Sequence, residues 1–170
     1  MSRPLTGDYA PFYQKYVELA TGNSIKDLLE NHSQNLLAFY TSLPEEKADY
    51  AYAEGKWTIK DLLQHVIDAE RVFGYRVLCF SRKDVNNLPG FDEDSFAQNA
   101  YASKRTLASL KEEFAAVRRS TDHLLQTFSQ EQLQLNGISN NNQITVNAIC
   151  FIVYGHLLHH KKILEERYLG

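Results

Sequence analysis

The sequence predicts an all-α fold, a four-helix bundle with a short helical extension at the N-terminus. Four long segments repeat apolar residues with the period of an amphipathic helix, and none of the four alternates apolar and polar residues as a half-buried strand does. Amphipathic helices bury their apolar faces against one another, so a bundle follows. A length of 170 residues with 44% hydrophobic residues favours one domain over residues 1–170, with residues 1–22 as the extension.

The first two predicted helices have clear boundaries. The first covers residues 24–40, and Pro44 follows where a helix has already ended. Its apolar face is formed by Ile25, Leu28, Leu29, Leu36 and Leu37. The second begins after Thr58, a favourable N-cap, with Asp61 three residues later as a short form of the capping box, and it runs to about Phe80.

The third and fourth predicted helices cover residues 103–128 and 145–168. The fourth carries a stripe at core spacing, formed by Ile149, Ile152, Val153, His156, His160, Ile163 and Arg167. Between helices, residues 81–102 form a long connection with a helical turn near 94–100, and a connection of this length is often functional. Residues 136–143 are expected to form a polar turn. Because the second-to-third connection is long, these two helices can be parallel neighbours.

Composition excludes several classes of protein. Eighteen Lys and Arg residues against 21 Asp and Glu residues give a formal charge of −3, which offers no reason to expect nucleic acid as the main partner. No segment has the roughly 18 uninterrupted apolar residues of a membrane span, and the N-terminus lacks the apolar part of a secretory signal. Cys79 and Cys150 lack the spacing of a redox or zinc motif. We therefore expect buried free thiols and a cytoplasmic location.

Three histidines are the candidate metal ligands. His156 and His160 are four residues apart and share one face of a helix, and His65 lies near the edge of the apolar face of the second helix. Three neutral imidazoles would leave a coordination position open, as in a reactive metal centre. A histidine on an apolar face can instead be a hydrogen-bonded core residue, although three such residues would each need their own partners.

The remaining candidates are interpreted more simply. His159 is expected to flank the site, and His32 and His123 to be partly exposed helix residues. Asp61 could orient His65 through a hydrogen bond, but stabilising the helix start is favoured. Glu70 could act as a base, but a solvated helix face is favoured.

The other polar side chains and the tyrosines also have simple interpretations. Tyr75, Tyr101 and Tyr154 could line a cleft, with packing as the default. The pair Arg118 and Arg119 is expected on a solvated face. Lys161 and Lys162 are expected to pair with Glu165 and Glu166.

Two motifs together resemble the DinB-like, or YfiT-like, family of four-helix metal proteins. The first is the run Trp57-Thr58-Ile59-Lys60-Asp61-Leu62-Leu63-Gln64-His65-Val66, and the second is His156-Leu157-Leu158-His159-His160. The resemblance extends from about Ser24 to the end of the chain. It implies an up-down-down-up bundle, a divalent metal, most often zinc or nickel, held by His65, His156 and His160, and a homodimer.

The family resemblance also implies two function classes. Characterised members include thiol-dependent transferases and isomerases and metal-dependent hydrolases. We therefore expect a metal-dependent enzyme, a thiol S-transferase or a hydrolase, acting on a small molecule, with a low-molecular-weight thiol as one possible cosubstrate. The alternative is a stress-associated binding or scaffold protein whose metal is structural or vestigial, because no general base or substrate motif stands out in the sequence.

Overall fold

In the computed structural model, which describes residues 2–170, α-helices dominate and a small three-stranded sheet caps one end. The helices are α1 (Gln14–Leu19), α2 (Ile25–Leu28), α3 (Gln34–Thr41), α4 (Ile59–Ser81), α5 (Glu93–Ala100), α6 (Leu107–Gln126), α7 (Gln130–Gln134) and α8 (Val146–Ile163). The strands are β1 (Asn87–Leu88), β2 (Asn136–Ser139) and β3 (Asn142–Thr145). A π-helical turn, Leu29–Ser33, joins α2 to α3 into one continuous first bundle helix, and another, Leu164–Leu169, extends α8.

The helices α4 and α6 run in the same direction. Near the start of α4, the Lys60 Nζ donates to the carbonyl oxygen of Ser103, just before α6, at 3.1 Å. Further along α4, Arg71 forms a salt bridge of 2.5 Å with Glu113 of α6. Contacts therefore advance along both helices together, which is the parallel arrangement that the long connection permits.

The other two bundle helices run the opposite way. The Tyr168 hydroxyl, after α8, donates to the carbonyl of Trp57, before α4, at 2.8 Å, so the end of α8 lies beside the start of α4. On the first bundle helix, Ser33 contacts Asp122 near the end of α6, while Glu45, just beyond the first bundle helix, pairs with Lys111 near the start of α6. The order is thus up-down-down-up, which confirms the predicted four-helix bundle.

Each bundle helix starts at a hydroxyl side chain. Ser24, Thr58, Thr106 and Thr145 each accept a hydrogen bond from the backbone N–H three residues later. Such a cap stabilises a helix by about 1 kcal/mol. Asp61 completes the capping box by accepting from the Thr58 N–H at 3.0 Å, so its role is the helix start, as favoured.

The prediction of a simple polar turn at residues 136–143 was wrong. This segment is a hairpin in which β2 pairs antiparallel with β3, and β1 adds a parallel strand to β2. The turn residues Asn140 and Asn141 have φ values of 49° and 60°, the left-handed conformation that two-residue hairpin turns require and that asparagine tolerates well. The fold is therefore helical with a minor sheet.

The prediction of solvated positions for Arg118 and Glu70 was also wrong. The Arg118 guanidinium is 0% exposed, and it lies 3.0 Å from Glu70 of α4 and 2.7 Å from Asp122 of its own helix. Asp122 also accepts hydrogen bonds from the Ser33 hydroxyl of the first bundle helix and the Tyr154 hydroxyl of α8. This buried ion cluster therefore joins all four bundle helices. Burial raises the pKa of Glu70, and the Arg118 charge opposes that rise.

Several smaller expectations can also be compared with the structure. Cys150 is buried and Cys79 is half-buried, and both are free thiols. The expected surface pairs are present, with 3.7 Å between Lys161 and Glu165 and 3.7 Å between Lys162 and Glu166. Within residues 2–170, no helix combines the length and the apolar character that crossing a membrane requires.

Replacing Arg118 tests the ion cluster. Arg118→Met leaves two carboxylates buried without their cation, and such a loss costs about 3–5 kcal/mol. We therefore expect urea denaturation to show a decrease of that size in the free energy of unfolding. The neighbouring residue Arg119 is exposed, and Arg119→Met should change the free energy by no more than about 0.5 kcal/mol. Equal effects of the two substitutions would contradict the structural role of Arg118.

Candidate metal centre

The structure brings together the three histidines that the sequence singles out. The Nε2 atom of His65 lies 3.2 Å from that of His156 and 3.2 Å from that of His160, and the latter two are 3.1 Å apart. These residues form the only group of three or more possible ligands found in residues 2–170. We call them the histidine triad.

Helix geometry explains why these rings meet. His156 and His160 lie on successive turns of α8, and His65 lies on the second turn of α4, which packs antiparallel to α8. Both faces continue into the core, since Leu62 and Val66 flank His65 and are buried. The triad thus occupies core positions at one end of the bundle.

Burial keeps the triad uncharged. It lowers the pKa of His65 to about 4, and burial together with the nearby His65 lowers the pKa of His160 to about 2. The pKa of His156 is also held well below its ordinary value, mainly by burial. At neutral pH the three rings are therefore neutral imidazoles.

The triad fits a shared cation. Neutral imidazoles protonated at Nδ1 can only accept hydrogen bonds at Nε2, so three such nitrogens facing one another repel without a common partner. A zinc ion about 2.0–2.1 Å from each nitrogen in tetrahedral geometry needs nitrogens about 3.3 Å apart, close to the spacing observed here. The donor set, three borderline nitrogen ligands, suits zinc, nickel and related ions.

Aromatic rings hold the triad in place. The Trp57 ring centre is 4.8 Å from that of His65, and the Tyr16 and Phe73 ring centres are 5.5 Å and 5.8 Å from that of His156. A carboxylate does not orient the ring of His160, because its Nδ1 is buried without a hydrogen-bond partner. Packing rather than hydrogen bonding therefore positions this ring.

The triad opens into a cavity of ≈ 420 Å³. Its lining combines α1 and the preceding turn, one face of α4, the end of α8 and the connection after β1: Phe12, Tyr13, Lys15, Tyr16, Trp57, His65, Ala69, Phe73, Arg76, Gly90, Phe91, Glu93, Asn140, His156, His159 and His160. Among the described residues in this lining there is no serine, threonine or cysteine. The cavity wall thus offers no hydroxyl or thiol nucleophile of the usual kind other than tyrosine.

The other three histidines are not part of the triad. His159 flanks it as expected, half-buried at the cavity wall, with its ring centre 5.2 Å from that of His160. His123 is exposed on α6. His32 is buried rather than partly exposed, and its Nε2 accepts a hydrogen bond from the Thr21 N–H at 3.0 Å. The π-helical turn that contains it places the ring against Tyr154 in the core.

Sequence reasoning missed most of the cavity wall. Tyr75 and Tyr101 are exposed and Tyr154 is in the core, so none of the three proposed tyrosines lines it. Arg76 and Phe73 could have been found from their spacing of eleven and eight residues after His65, which places them on the same face of α4.

Comparisons with known proteins agree with this architecture. The profile of the DinB superfamily matches residues 28–164. Among solved structures, the fold is similar to that of YfiT from Bacillus subtilis, described as a probable metal-dependent hydrolase with an unusual four-helix bundle topology. The TM-score is 0.67 over 91% of this chain and 84% of that chain, at 16% sequence identity, so this likeness shows the fold alone. Among proteins with curated descriptions, none matches significantly.

A glycine on α8 controls the wall formed by α1. A methyl group at Gly155 would lie 1.9 Å from the carbonyl oxygen of Tyr16, so Gly155→Ala must push α1 away. We expect the free energy of unfolding to fall by about 1–3 kcal/mol in urea denaturation. At Gly74 on α4 a methyl group would meet nothing within 4 Å, and Gly74→Ala should instead stabilise the helix by about 0.5–1 kcal/mol. Unchanged stability in Gly155→Ala would contradict this packing.

Proposed function

The chain belongs to the DinB superfamily, and from this premise we propose that it is a metal-dependent hydrolase acting on a small molecule. The observation that carries the proposal is the histidine triad, three neutral Nε2 atoms within 3.2 Å of one another beside a cavity. In this proposal His65, His156 and His160 hold one divalent ion, zinc or nickel. The same description, a probable metal-dependent hydrolase, has been given to the structurally similar YfiT.

A bound ion would supply Lewis acidity and lower the pKa of a coordinated water, or of a thiol in its place, towards neutrality. Three protein ligands leave room for this fourth partner, as in catalytic rather than structural zinc sites. Aromatic packing positions two of the three imidazole rings, because the ring of Trp57 packs on His65 and those of Tyr16 and Phe73 pack on His156.

The cavity wall determines what kind of reaction fits. It lacks serine, threonine and cysteine among its described residues, so the nucleophile must come from solvent or from a second small molecule. Cys150 cannot serve, because it lies in the core and burial raises the pKa of its thiol strongly. Water is the simplest nucleophile, and hydrolysis is therefore the reaction that we propose. Transfer of an external low-molecular-weight thiol is the variant that the same site would support.

The aromatic lining suits a substrate with an apolar body. Tyr13, Tyr16, Phe73 and Phe91 line the cavity, and the side chains of Tyr13 and Tyr16 are half-buried there. Burial raises the pKa values of both phenols, so they stay protonated at neutral pH. They can therefore pack on a substrate and exclude water without adding charge. A homodimer and a cytoplasmic location stay predictions from the sequence.

Metal analysis tests the ligand assignment. After metal loading and dialysis, we expect the protein to retain one zinc or nickel ion per chain. In His160→Gln the metal affinity should fall by at least about 100-fold, since even a residue that only hydrogen-bonds to a metal ligand contributes about 10–100-fold. His159→Gln removes the adjacent imidazole outside the triad and should keep full stoichiometry. Calorimetric titration with zinc gives the affinities. Equal binding by wild type and His160→Gln would remove this residue from the site.

Turnover tests the reaction class. Purified protein should hydrolyse members of a panel of small aryl esters and amides without added thiol, and removal of metal with a chelator should lower kcat/KM by at least about 100-fold. Re-addition of zinc or nickel should restore activity in wild type and in His123→Gln, whose exposed side chain lies outside the cavity. His65→Gln should stay inactive.

Other outcomes of this assay would overturn the proposal. Turnover that requires a thiol would replace hydrolysis with S-transfer. Full metal binding with no turnover of any panel member, with or without added thiol, would favour a binding or scaffold protein whose metal is structural.

A further inference from the structure

Two buried arginines have very different surroundings. Arg118 is neutralised in the ion cluster by Glu70 at 3.0 Å and by Asp122 at 2.7 Å. Arg76 on α4 is 4% exposed, yet within residues 2–170 its guanidinium forms no salt bridge with any carboxylate. Because a buried charge is costly unless it is paired, Arg76 stands out as a cation that lacks an anion.

The hydrogen bonds of Arg76 leave donors free. Its Nη2 donates to the neutral carbonyl of Pro89 at 2.8 Å, and its Nε is buried without any partner. The Arg76 charge and a hydrogen bond with Arg76 both oppose the rise that burial causes in the Tyr13 pKa, but a protonated phenol supplies no negative charge. Burial also lowers the pKa of Arg76 itself, as expected for a cation that no protein carboxylate compensates.

Arg76 lies in the same cavity as the histidine triad. His65, Ala69, Phe73 and Arg76 follow one another at helical spacing on one face of α4, and all four line the cavity. The Phe73 ring is close to both groups, with its centre 5.8 Å from the Arg76 Cζ and 5.8 Å from the centre of the His156 ring. The guanidinium carbon is therefore no more than about 12 Å from that ring, a span that one small molecule can bridge.

The charges along the cavity favour an anion. Of the lining residues that the structure describes, Lys15 and Arg76 are the two cationic ones, the histidines are neutral, and Glu93 is the one acidic residue. Glu93 is exposed, as is Lys15, so both are screened by solvent, whereas Arg76 is not. The field inside the cavity is therefore set mainly by the buried guanidinium.

We propose that Arg76 forms an anion subsite in this cavity and binds the carboxylate of a small substrate whose reacting group lies at the histidine triad. A carboxylate matches the planar guanidinium donors and carries the single negative charge that one buried arginine compensates. The inference rests on the proposed function only in that it calls the bound molecule a substrate. The subsite itself is independent of any metal, so the two proposals can fail separately.

The competing explanation is purely structural, since the bond to Pro89 ties α4 to the connection after β1. The two roles differ in one measurable respect. Loss of a structural tie weakens the binding of every ligand in the cavity, whereas loss of an anion subsite weakens only the binding of anions. A carboxylate and its neutral amide of the same shape separate these effects.

The test uses metal-free protein and the pair 4-phenylbutyrate and 4-phenylbutyramide. The single tryptophan, Trp57, lies in the cavity wall, so its fluorescence reports binding, and calorimetry gives an independent affinity. Wild type should bind the carboxylate at least about tenfold more tightly than the amide, the range for a hydrogen bond to a charged group. In Arg76→Met the carboxylate affinity should fall by at least about tenfold, while the amide affinity stays within about twofold.

Controls complete the design. Arg82→Met removes an exposed guanidinium just after the same helix, outside the cavity, and should behave as wild type. Arg76→Lys keeps the charge without the planar fork, and its carboxylate preference should be smaller than that of wild type; it replaces Arg76→Met if that variant fails to fold. Three results would overturn the subsite: no carboxylate preference in wild type, an undiminished preference in the Arg76 variants, or equal weakening of both ligands in Arg76→Met.

Discussion

A buried ion cluster joins all four bundle helices, and the meeting of the histidines depends on it. Glu70 and Asp122 compensate the charge of Arg118 in the core, where an unpaired charge is far more costly than a lost surface contact. Glu70 follows His65 by little more than one helical turn, and Tyr154, which bonds to the same cluster, precedes His156 by half a turn. If α4 or α8 slid by one turn, the cluster and the triad would separate together. The ion cluster, which stabilises the fold, therefore also sets the register between the two helices that carry the histidine triad.

The helical part of the fold could be predicted because its signals are local. Apolar periods and the hydroxyl caps at Thr58 and Thr145 lie within the helices they define, and the structure begins helices at both places. The sheet could not be predicted in this way. β1 has only two residues, β2 and β3 are short and rich in asparagine, and β1 pairs with a segment some fifty residues away. Such pairing depends on where the helices place the strands.

The candidate site was partly visible in the sequence for a similar reason. Imidazoles are unusual within an apolar helical stripe, so His156 and His160 stand out from the pattern of residues alone. Glu70 and Arg118 do not, because single charges on long helices are normally solvated, and their burial arises only when α4 and α6 pack in parallel. Sequence spacing places Arg76 on the same face of α4 as His65, but its burial without a carboxylate partner is evident only in three dimensions.

The parallel course of α4 and α6 also affects how this protein can diverge. The chain must travel back along the bundle between Ser81 and Leu107, and on the way Gly90 and Phe91 form one side of the cavity. Insertions or exchanges in this return segment would reshape this side of the cavity without moving any of the imidazoles, which are held by α4 and α8. The side of the cavity formed by the return segment and the reactive centre are thereby placed on separately mutable parts of the chain, so descendants could acquire new specificities while the core stays constant.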